Sequence, residues 1–571
     1  MKVLGLNHGE INSSAAIVQN GRIIAGSAEE RYNRQKKSKF FPKESVKFCL
    51  ESSGVTLEKC DYIAQSWNPH AALQKYNPFI SSNRIRREDY LYSIPDHLCD
   101  LLKDRKPREW TMMHFDGDYL PPIYYIQHHR AHAANAFYLS DFEEAAILTA
   151  DFKGEFETAT MCHGKGNKIE FIDSMNMPHS LGMLYSTFTE LLGYRVDSDE
   201  WKVMALSAFD VNYSEEYDKI KSTIKLLKNG FFEMDQAYYK GAILDQPNLY
   251  TEKLKELLGG RIGKKGETAD LWHKKIACAM QHVAEDIAVH MLTALHEKTK
   301  SKNLALSGGF FMNSVFNGKI KELTPFENIF IPYAPTDAGN SIGAALYVAH
   351  HIHGEERNKG YNSSFIGSDI SEPDIVSTLN RRKINYERVK NRESEIAKLL
   401  ADGNIVAVCN GRMEFGERAL GNRSILADPR KTEIKDKINA IIKYRESYRP
   451  FAPVTLQKYV SDYFEVDPSF TSHYMEQVVK MKSDYHDQLE AVVHVDGSGR
   501  VQTVNHETHP EFSEIIYEFE KITGLPFVLN TSFNINGEPI VRTADDALNT
   551  FFNSGLEHLF IGSYYIKKSN V

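Results

Sequence analysis

Residues 2–28 read KVLGLNHGEINSSAAIVQNGRIIAGSA. An apolar run opens the stretch, the polar loop HGEIN breaks it, and a second apolar run, SSAAIV, follows. The Asn20-Gly21 dipeptide is the strongest short hairpin signal, and it leads into a third run, IIAGSA. Residues 145–172, AAILTADFKGEFETATMCHGKGNKIEFI, repeat the plan: a strand, the polar loop FKGEFE, a strand, a turn at GKGN and a third strand. The copies share architecture more than letters. A hairpin with a polar first loop, present twice, points to two related lobes around a cleft. The competing reading is two unrelated hairpins in an α/β protein.

Outward from these copies, the pattern stays α/β. Residues 268–300 keep apolar positions at three- and four-residue intervals, which predicts a long helix with Thr268 as its cap. NLALSGGFFMNSVFN (303–317) reads as a strand, a glycine turn and a helix start. TDAGNSIGAALYVAHH (336–351) reads as a glycine-rich loop entering a helix of small residues. Residues 352–364 are polar with two glycines and make the best linker. From NIVAVCNGRMEF (404–415) a new α/β unit runs onward.

The chain of 571 residues, 42% hydrophobic, has material for about two to four domains. Mean hydropathy is negative, and no apolar run approaches the roughly 18–20 residues that span a bilayer, so no membrane partner is expected. MKVLGLNHGE reads as a first strand, not a signal peptide. The six cysteines (Cys49, Cys60, Cys99, Cys162, Cys278, Cys409) show no CxxC spacing, and a reducing cytoplasm is the simplest setting. A net charge of −8 disfavours bulk attraction to nucleic acid, while a local basic groove stays open.

Chemistry gathers in four places. In IQHHRAHAANAF (126–137), His128 and His132 are four apart and share one helix face, where they can grip one metal ion. His129 points elsewhere, and it stands where a zinc-protease pattern needs glutamate. A His-x-x-x-His pair by itself is more often structural. Asp151 ends a strand and Asp337 sits in the glycine-rich loop. With the histidines they would make a mixed nitrogen/oxygen site suited to iron, zinc or manganese, although each aspartate alone reads as a cap or turn residue. Gly308 and Gly309 follow a strand, where backbone amides can hold phosphate or where a glycine pair simply packs closely. The common nucleotide fingerprints GxxxxGK[ST] and GxGxxG are absent.

The densest signal is GRMEFGERALGNRSILADPRK (411–431), with Arg412, Arg418, Arg423 and Arg430 among glycines. KYRESYRPFAP (443–453) adds Lys443, Arg445 and Arg449. Arginine forks suit phosphate and carboxylate oxygens, and the alternative is a solvated basic face. Arg500 follows in GSGRVQTV. LPFVLNTSFNINGEPIV then reads as a buried strand ending in Asn530, Ser532 and Asn534, which can bind phosphate or ribose or cap a turn.

Taken in order along nearly the whole chain, HHRAHAANAF, LALSGGFFMN, TDAGNSIGAA, GRMEFGERALGNRSILADPR, RPFAP, DGSGRVQTV and LNTSFNINGEPIV resemble the O-carbamoyltransferase family of antibiotic tailoring enzymes. The resemblance implies an N-terminal actin-like (ASKHA, duplicated ribonuclease-H-like) domain over residues 1–355. It implies a C-terminal YrdC-like α/β domain, of the threonylcarbamoyl-AMP-synthase fold, over 365–571. It also implies a two-step reaction. Carbamoyl phosphate loses phosphate, the carbamate attacks the α-phosphorus of ATP, and pyrophosphate leaves carbamoyl-adenylate behind. An acceptor hydroxyl then takes the carbamoyl group and AMP departs.

Carried over motif by motif, Arg418, Lys443 and Arg449 are the catalytic residues, and Arg445, Arg500, Asn530, Ser532 and Asn534 line the same ATP and carbamoyl phosphate site. Gly308, Gly309 and Lys202 border the adenylate in the other domain. His128, His132, Asp151 and Asp337 match the metal ligands, with Fe2+ or another divalent metal there as a Lewis acid and Mg2+ accompanying ATP. Two departures stand out. Trp201 replaces a family glycine before Lys202, and Ile11 and Asn12 replace a His-Asp pair in the first polar loop, leaving His8 and Glu10 as candidate bases. The acceptor is then a natural-product sugar or alcohol; a hydroxymethylated pyrimidine in a nucleotide or DNA, or a non-catalytic nucleotide-binding protein, are the alternatives. A homodimer is compatible with this reading.

Overall fold

The computed structural model describes residues 1–9, 11–68, 121–240, 248–444 and 451–568. Glu10, Cys99, Arg445 and Arg449 lie outside the described residues. The chain divides into two compact units. The first holds Met1–Glu29, Lys39–Asn313 and Lys319–Asn362, and the second holds Glu30–Ser38, Ser314–Gly318 and Ser363–Val571.

The first unit contains the expected duplication. Its first sheet is built from β1 (Lys2–Asn7), β2 (Ser14–Gln19), β3 (Arg22–Ala28), β4 (Tyr62–Gln65) and β5 (Ile123–Tyr125), in the order β3-β2-β1-β4-β5. The second sheet uses β6 (Glu144–Ala150), β7 (Glu157–Lys165), β8 (Lys168–Asn176), β11 (Asn303–Ser307) and β12 (Asn328–Phe330), in the order β12-β11-β6-β7-β8. Between them in sequence, β9 (Ile224–Leu226) and β10 (Phe232–Met234) form a small ribbon. Renumbered within each lobe, both five-stranded sheets have the order 3-2-1-4-5. In both, the first three strands are antiparallel and the last two join in parallel. This is the duplicated ribonuclease-H-like, actin-like fold.

Local chemistry explains the hairpin. Asn20 and Gly21 have φ of 50° and 71°, the left-handed pair that a two-residue turn between Gln19 and Arg22 demands. Ala15, Ala16, Ile17 and Val18 are all fully buried, so β2 reads as an unbroken apolar run because both of its faces are covered.

Helices place the ligating residues. The helix His128–Leu139 packs on the second sheet, and the helix Asn340–Leu346 packs against it. Gly343 permits that approach, since a Cβ there would lie 2.0 Å from the Ala131 carbonyl oxygen. The long helix spans Leu271–Thr299, and its cap is Asp270, not Thr268. The Asp270 carboxylate accepts from Trp272 and His273 N–H while the His273 ring answers the Asp270 N–H, a reciprocal cap that a residue two places earlier cannot make.

The second unit is built on one mixed sheet of eight strands: β13 (Glu387–Arg388), β14 (Val406–Cys409), β15 (Arg423–Ala427), β16 (Ala452–Leu456), β19 (Gln502–Val504), β20 (Phe527–Ser532), β21 (His558–Ile561) and β22 (Tyr564–Lys567). Their order is β13-β22-β21-β14-β15-β20-β16-β19. The ribbon of β17 (Val479–Lys480) and β18 (Ser498–Gly499) sits apart from it. Ile425, Phe527, Leu529, Phe533, Val541 and Phe551 belong to one buried cluster that anchors the ends of β15 and β20.

Candidate functional site

The first unit brings His128, His132, Asp151 and Asp337 together. One ligand atom from each lies within 4.8 Å of all the others. His128 Nε2 is 3.0 Å from His132 Nε2, and His132 Nε2 is 2.9 Å from Asp151 Oδ2. Both histidine nitrogens are 3.4 Å from Asp337 Oδ1, and His128 is 3.9 Å from Asp151. Two ligand atoms each about 2.1 Å from one ion lie about 3.0 Å apart at a right angle and about 3.4 Å apart at a tetrahedral angle. The donor set therefore fits a single divalent ion in size and in chemistry, two imidazoles with two carboxylates.

The protonation pattern agrees. The Ser307 hydroxyl donates to the Pro335 carbonyl at 3.1 Å, so its oxygen is left to accept from His132 Nδ1–H at 3.1 Å. That tautomer turns the Nε2 lone pair toward Asp151, and a proton can bridge one such contact but not all of them. Burial works against charge on His128, yet Asp337 and Asp151 hold its pKa well above the ordinary value. Burial likewise raises Asp151, and the two histidines more than offset it, leaving its pKa well below the carboxylate range. The pocket is arranged to hold positive charge between its aspartates. His129 does point elsewhere: its Nδ1 meets Thr149 Oγ1 at 2.7 Å, and burial with two neighbouring imidazoles drives its pKa well down.

Three neighbours complete the centre. Glu155 takes the His128 N–H on both oxygens, at 3.1 and 3.0 Å, and the Asn68 N–H at 2.6 Å. It holds the start of the histidine helix, where Gln127 supplies no side-chain cap, and burial pushes it up to about 7. The Asn340 amide nitrogen is 3.1 Å from His132 Nε2. The Gly309 N–H donates to Asp151 Oδ2 at 3.0 Å, and Gly308 has a φ of 107° with no room for a Cβ, which would lie 2.2 Å from the Ala150 oxygen. The glycine turn is thus directly coupled to a candidate ligand. Lys202 Nζ is 3.4 Å from Asp199 and 5.5 Å from both the Tyr194 and Trp201 rings.

In the second unit the arginines divide by partner. Arg423 is fully buried and donates to the carbonyls of Asn410, Gly411 and Asn422. Arg412 donates to the Ile366 and Gly367 carbonyls, and Arg430 forks onto Asp428. These three are spent on the protein's own carbonyls and on Asp428, so they hold the fold together. Arg418 differs. It is half-buried, and among the described residues it has no hydrogen bond or ion pair. Burial lowers its pKa, with only Glu417 opposing.

Lys443, 4% exposed, reaches the Ser532 carbonyl, Ser532 Oγ at 3.2 Å, the Asn534 carbonyl at 3.0 Å and Asn534 Oδ1 at 2.9 Å. Three of the expected residues thus form one cluster. Asn530 does not join it. Its amide is spent on the Ala419 carbonyl and Gln502 Oε1, both at 3.1 Å. Arg500 is half-buried between β18 and β19.

Comparison with known proteins decides the family. Residues 2–346 match the family described as carbamoyltransferase N-terminus, and residues 397–568 match carbamoyltransferase C-terminus. The chain belongs to the carbamoyltransferase family. It is 34% identical to nodulation protein NolNO of Sinorhizobium fredii, over 98% of this chain and 79% of that protein. It is also 34% identical to nodulation protein NolO of Bradyrhizobium diazoefficiens, over 78% of this chain and 79% of that one. A third relative, sll1178 of Synechocystis sp., is 33% identical over 99% of this chain and 97% of its own length.

This carbamoyltransferase carries the histidine–aspartate group inside its N-terminal match, and Arg418, Lys443 and Ser532 inside its C-terminal match. Among the described residues no helix is long and apolar enough to cross a membrane. Sequence reasoning missed Glu155, Asn340 and Glu414, whose carboxylate grips the arginine loop. The sequence trace of them is proximity to the motifs, because their partners, backbone N–H groups for Glu155 and Glu414 and the His132 ring for Asn340, converge only on folding.

Proposed function

We propose that this carbamoyltransferase is ATP-dependent and works in two half-reactions. In the C-terminal unit, water hydrolyses carbamoyl phosphate, the bond through its bridging oxygen breaks, and carbamate and phosphate form. A carbamate oxygen then attacks the α-phosphorus of ATP, the bond from that phosphorus to the bridging oxygen breaks, and pyrophosphate leaves. In the N-terminal unit an acceptor hydroxyl adds to the carbamoyl carbon of carbamoyl-adenylate, loses its proton, and AMP is released. The acceptor is an alcohol, of the natural-product or sugar type.

The observation that carries this reading is Arg418. Burial costs the Arg418 guanidinium hydration, Glu417 offsets this only in part, and among the described residues no carboxylate bonds to it, so an anionic ligand would complete its surroundings. Phosphate oxygens fit its planar fork. Lys443 adds a second cation, and Ser532 and Asn534 hold it in place. Arg449, Arg445 and Arg500 are proposed to share the polyanion, which two substrates rich in phosphate require.

In the N-terminal unit, His128, His132, Asp151 and Asp337 would hold a divalent ion, Fe2+ by the family resemblance. Such an ion supplies Lewis acidity toward an oxygen of the transferred group. Ser307 fixes the His132 tautomer, Glu155 anchors the helix, and Gly309 orients Asp151. Gly308, Gly309 and Lys202 are proposed to border the adenylate.

The test mixes the purified protein with ATP, magnesium and carbamoyl phosphate, without acceptor, beside the Arg418→Ala variant. Pyrophosphate and carbamoyl-adenylate from the wild type alone support the reading. A folded, metal-loaded wild type that forms neither product, with or without candidate alcohols, removes it in favour of a nucleotide-binding role.

A further inference from the structure

Arg418 is presented by a loop whose backbone is held from both sides. Glu414 Oε1 accepts the N–H groups of Leu420 at 2.8 Å, Asn422 at 2.8 Å and Arg423 at 3.1 Å. On the carbonyl side, an Arg31 terminal nitrogen donates to Gly416 at 2.8 Å, Asn530 to Ala419 at 3.1 Å and Gln502 to Leu420 at 3.0 Å. Gly416 carries the positive φ, 105°, that turns the chain into the arginine. Glu414 and Arg31 are 3% and 4% exposed. These contacts flank Arg418, and none of them touches its guanidinium.

Their chemistry is selective. A buried carboxylate four residues from a half-buried guanidinium would ordinarily pair with it. Here Glu414 Oε1 is committed to three backbone N–H groups, and its other oxygen, buried without a hydrogen-bond partner, makes no bond to Arg418. Arg31 comes from the short segment Glu30–Ser38 that belongs to the second unit, and its other nitrogen meets Glu30 at 3.0 Å. Both groups therefore shape the loop without neutralising its cation.

We infer that Glu414 and Arg31 are positioning residues for the adenylation half-reaction: they fix the 414–423 backbone so that Arg418 meets the donor phosphate without a competing partner. The inference rests on the reading of Arg418 as a phosphate ligand. Displacing such a group by about 1 Å costs on the order of a hundredfold in a positioned reaction.

The experiment measures pyrophosphate release by the full-length protein as carbamoyl phosphate is varied, for the wild type, Glu414→Ala, Glu414→Gln, Arg31→Met and Arg418→Ala. Glu414→Ala and Arg31→Met each raise KM for carbamoyl phosphate about tenfold or more, while melting temperature reports folding separately. Glu414→Gln, whose amide oxygen still accepts the same N–H groups, returns KM to within about threefold of the wild type. That rescue distinguishes loop positioning from loss of a charge. Wild-type KM in Arg31→Met and Glu414→Ala, with Arg418→Ala impaired, overturns the inference and leaves the Arg418 reading standing. An unimpaired Arg418→Ala overturns the reading itself. If Glu414→Ala does not fold, Arg31→Met decides, and a Glu414→Gln variant that folds but shows a tenfold KM rise counts against the acceptor role.

Discussion

His132 shows how one side chain is committed to a task by its neighbours. Its Nδ1–H is taken by Ser307, and its Nε2 is left to face a carboxylate 2.9 Å away. Partners of this kind are worth about 10–100-fold in metal affinity. Ser307→Ala therefore lowers the affinity for Fe2+ or Co2+ by about that factor while leaving the melting temperature of the metal-free protein nearly unchanged. Competition against a chelator measures it, and wild-type affinity would show that the histidine needs no such partner. The same scale explains why arginines so close in sequence divide. Arg418 and Arg423 are chemically identical and five apart. Arg423 inserts among backbone carbonyls and Arg418 does not, a difference set by the loop's path, which composition does not encode. The metal quartet is similar: four-residue spacing gives the histidine pair, but only the folded chain brings Asp337 to it.

Elements carry the ligands, and the histidine helix starts without a side chain of its own to cap it. Glu155, from the loop between β6 and β7, does that work across space. Glu155→Ala leaves the first amides of the helix unsatisfied and costs about 1–2 kcal/mol. Thermal melting of the metal-free protein checks this, and an unchanged midpoint would mean that water replaces the carboxylate without loss. Elements were the most legible scale. Both hairpins follow from apolar runs and turn residues, because a run buried on both faces and a glycine-bearing turn are local properties. The misplaced helix cap arose where two cap-forming residues stand two positions apart, and the His273 side chain chose between them. The three-residue strands β5 and β12 leave too short a pattern to read.

The whole molecule joins a duplicated actin-like unit to a second unit on an eight-stranded sheet, and the second unit carries a pH liability. The His509 ring accepts the Phe512 N–H at a helix start and is 6% exposed. Burial, with Arg392 nearby, pushes its pKa down to about 3. The unfolded chain takes up that proton near pH 6.5 and the folded one does not. Stability from this group is therefore full above about 6.5 and falls as pH drops toward 3, by about 2 kcal/mol at pH 5. His509→Asn keeps a cap acceptor without titrating, and it flattens this part of the acid limb in melts between pH 7 and 5. An unchanged limb would assign the loss to other groups.

The central claim is a division of labour, with adenylation depending on Arg418 and transfer depending on the histidine–aspartate group. The most direct test measures acceptor-free pyrophosphate release in parallel for the wild type, Arg418→Ala and Asp337→Ala, with bound metal determined on the same samples. The account predicts that Arg418→Ala keeps its metal and loses release by about a hundredfold or more, while Asp337→Ala loses metal and keeps release within about threefold. Equal loss of release in both variants, or release untouched in Arg418→Ala, would contradict it.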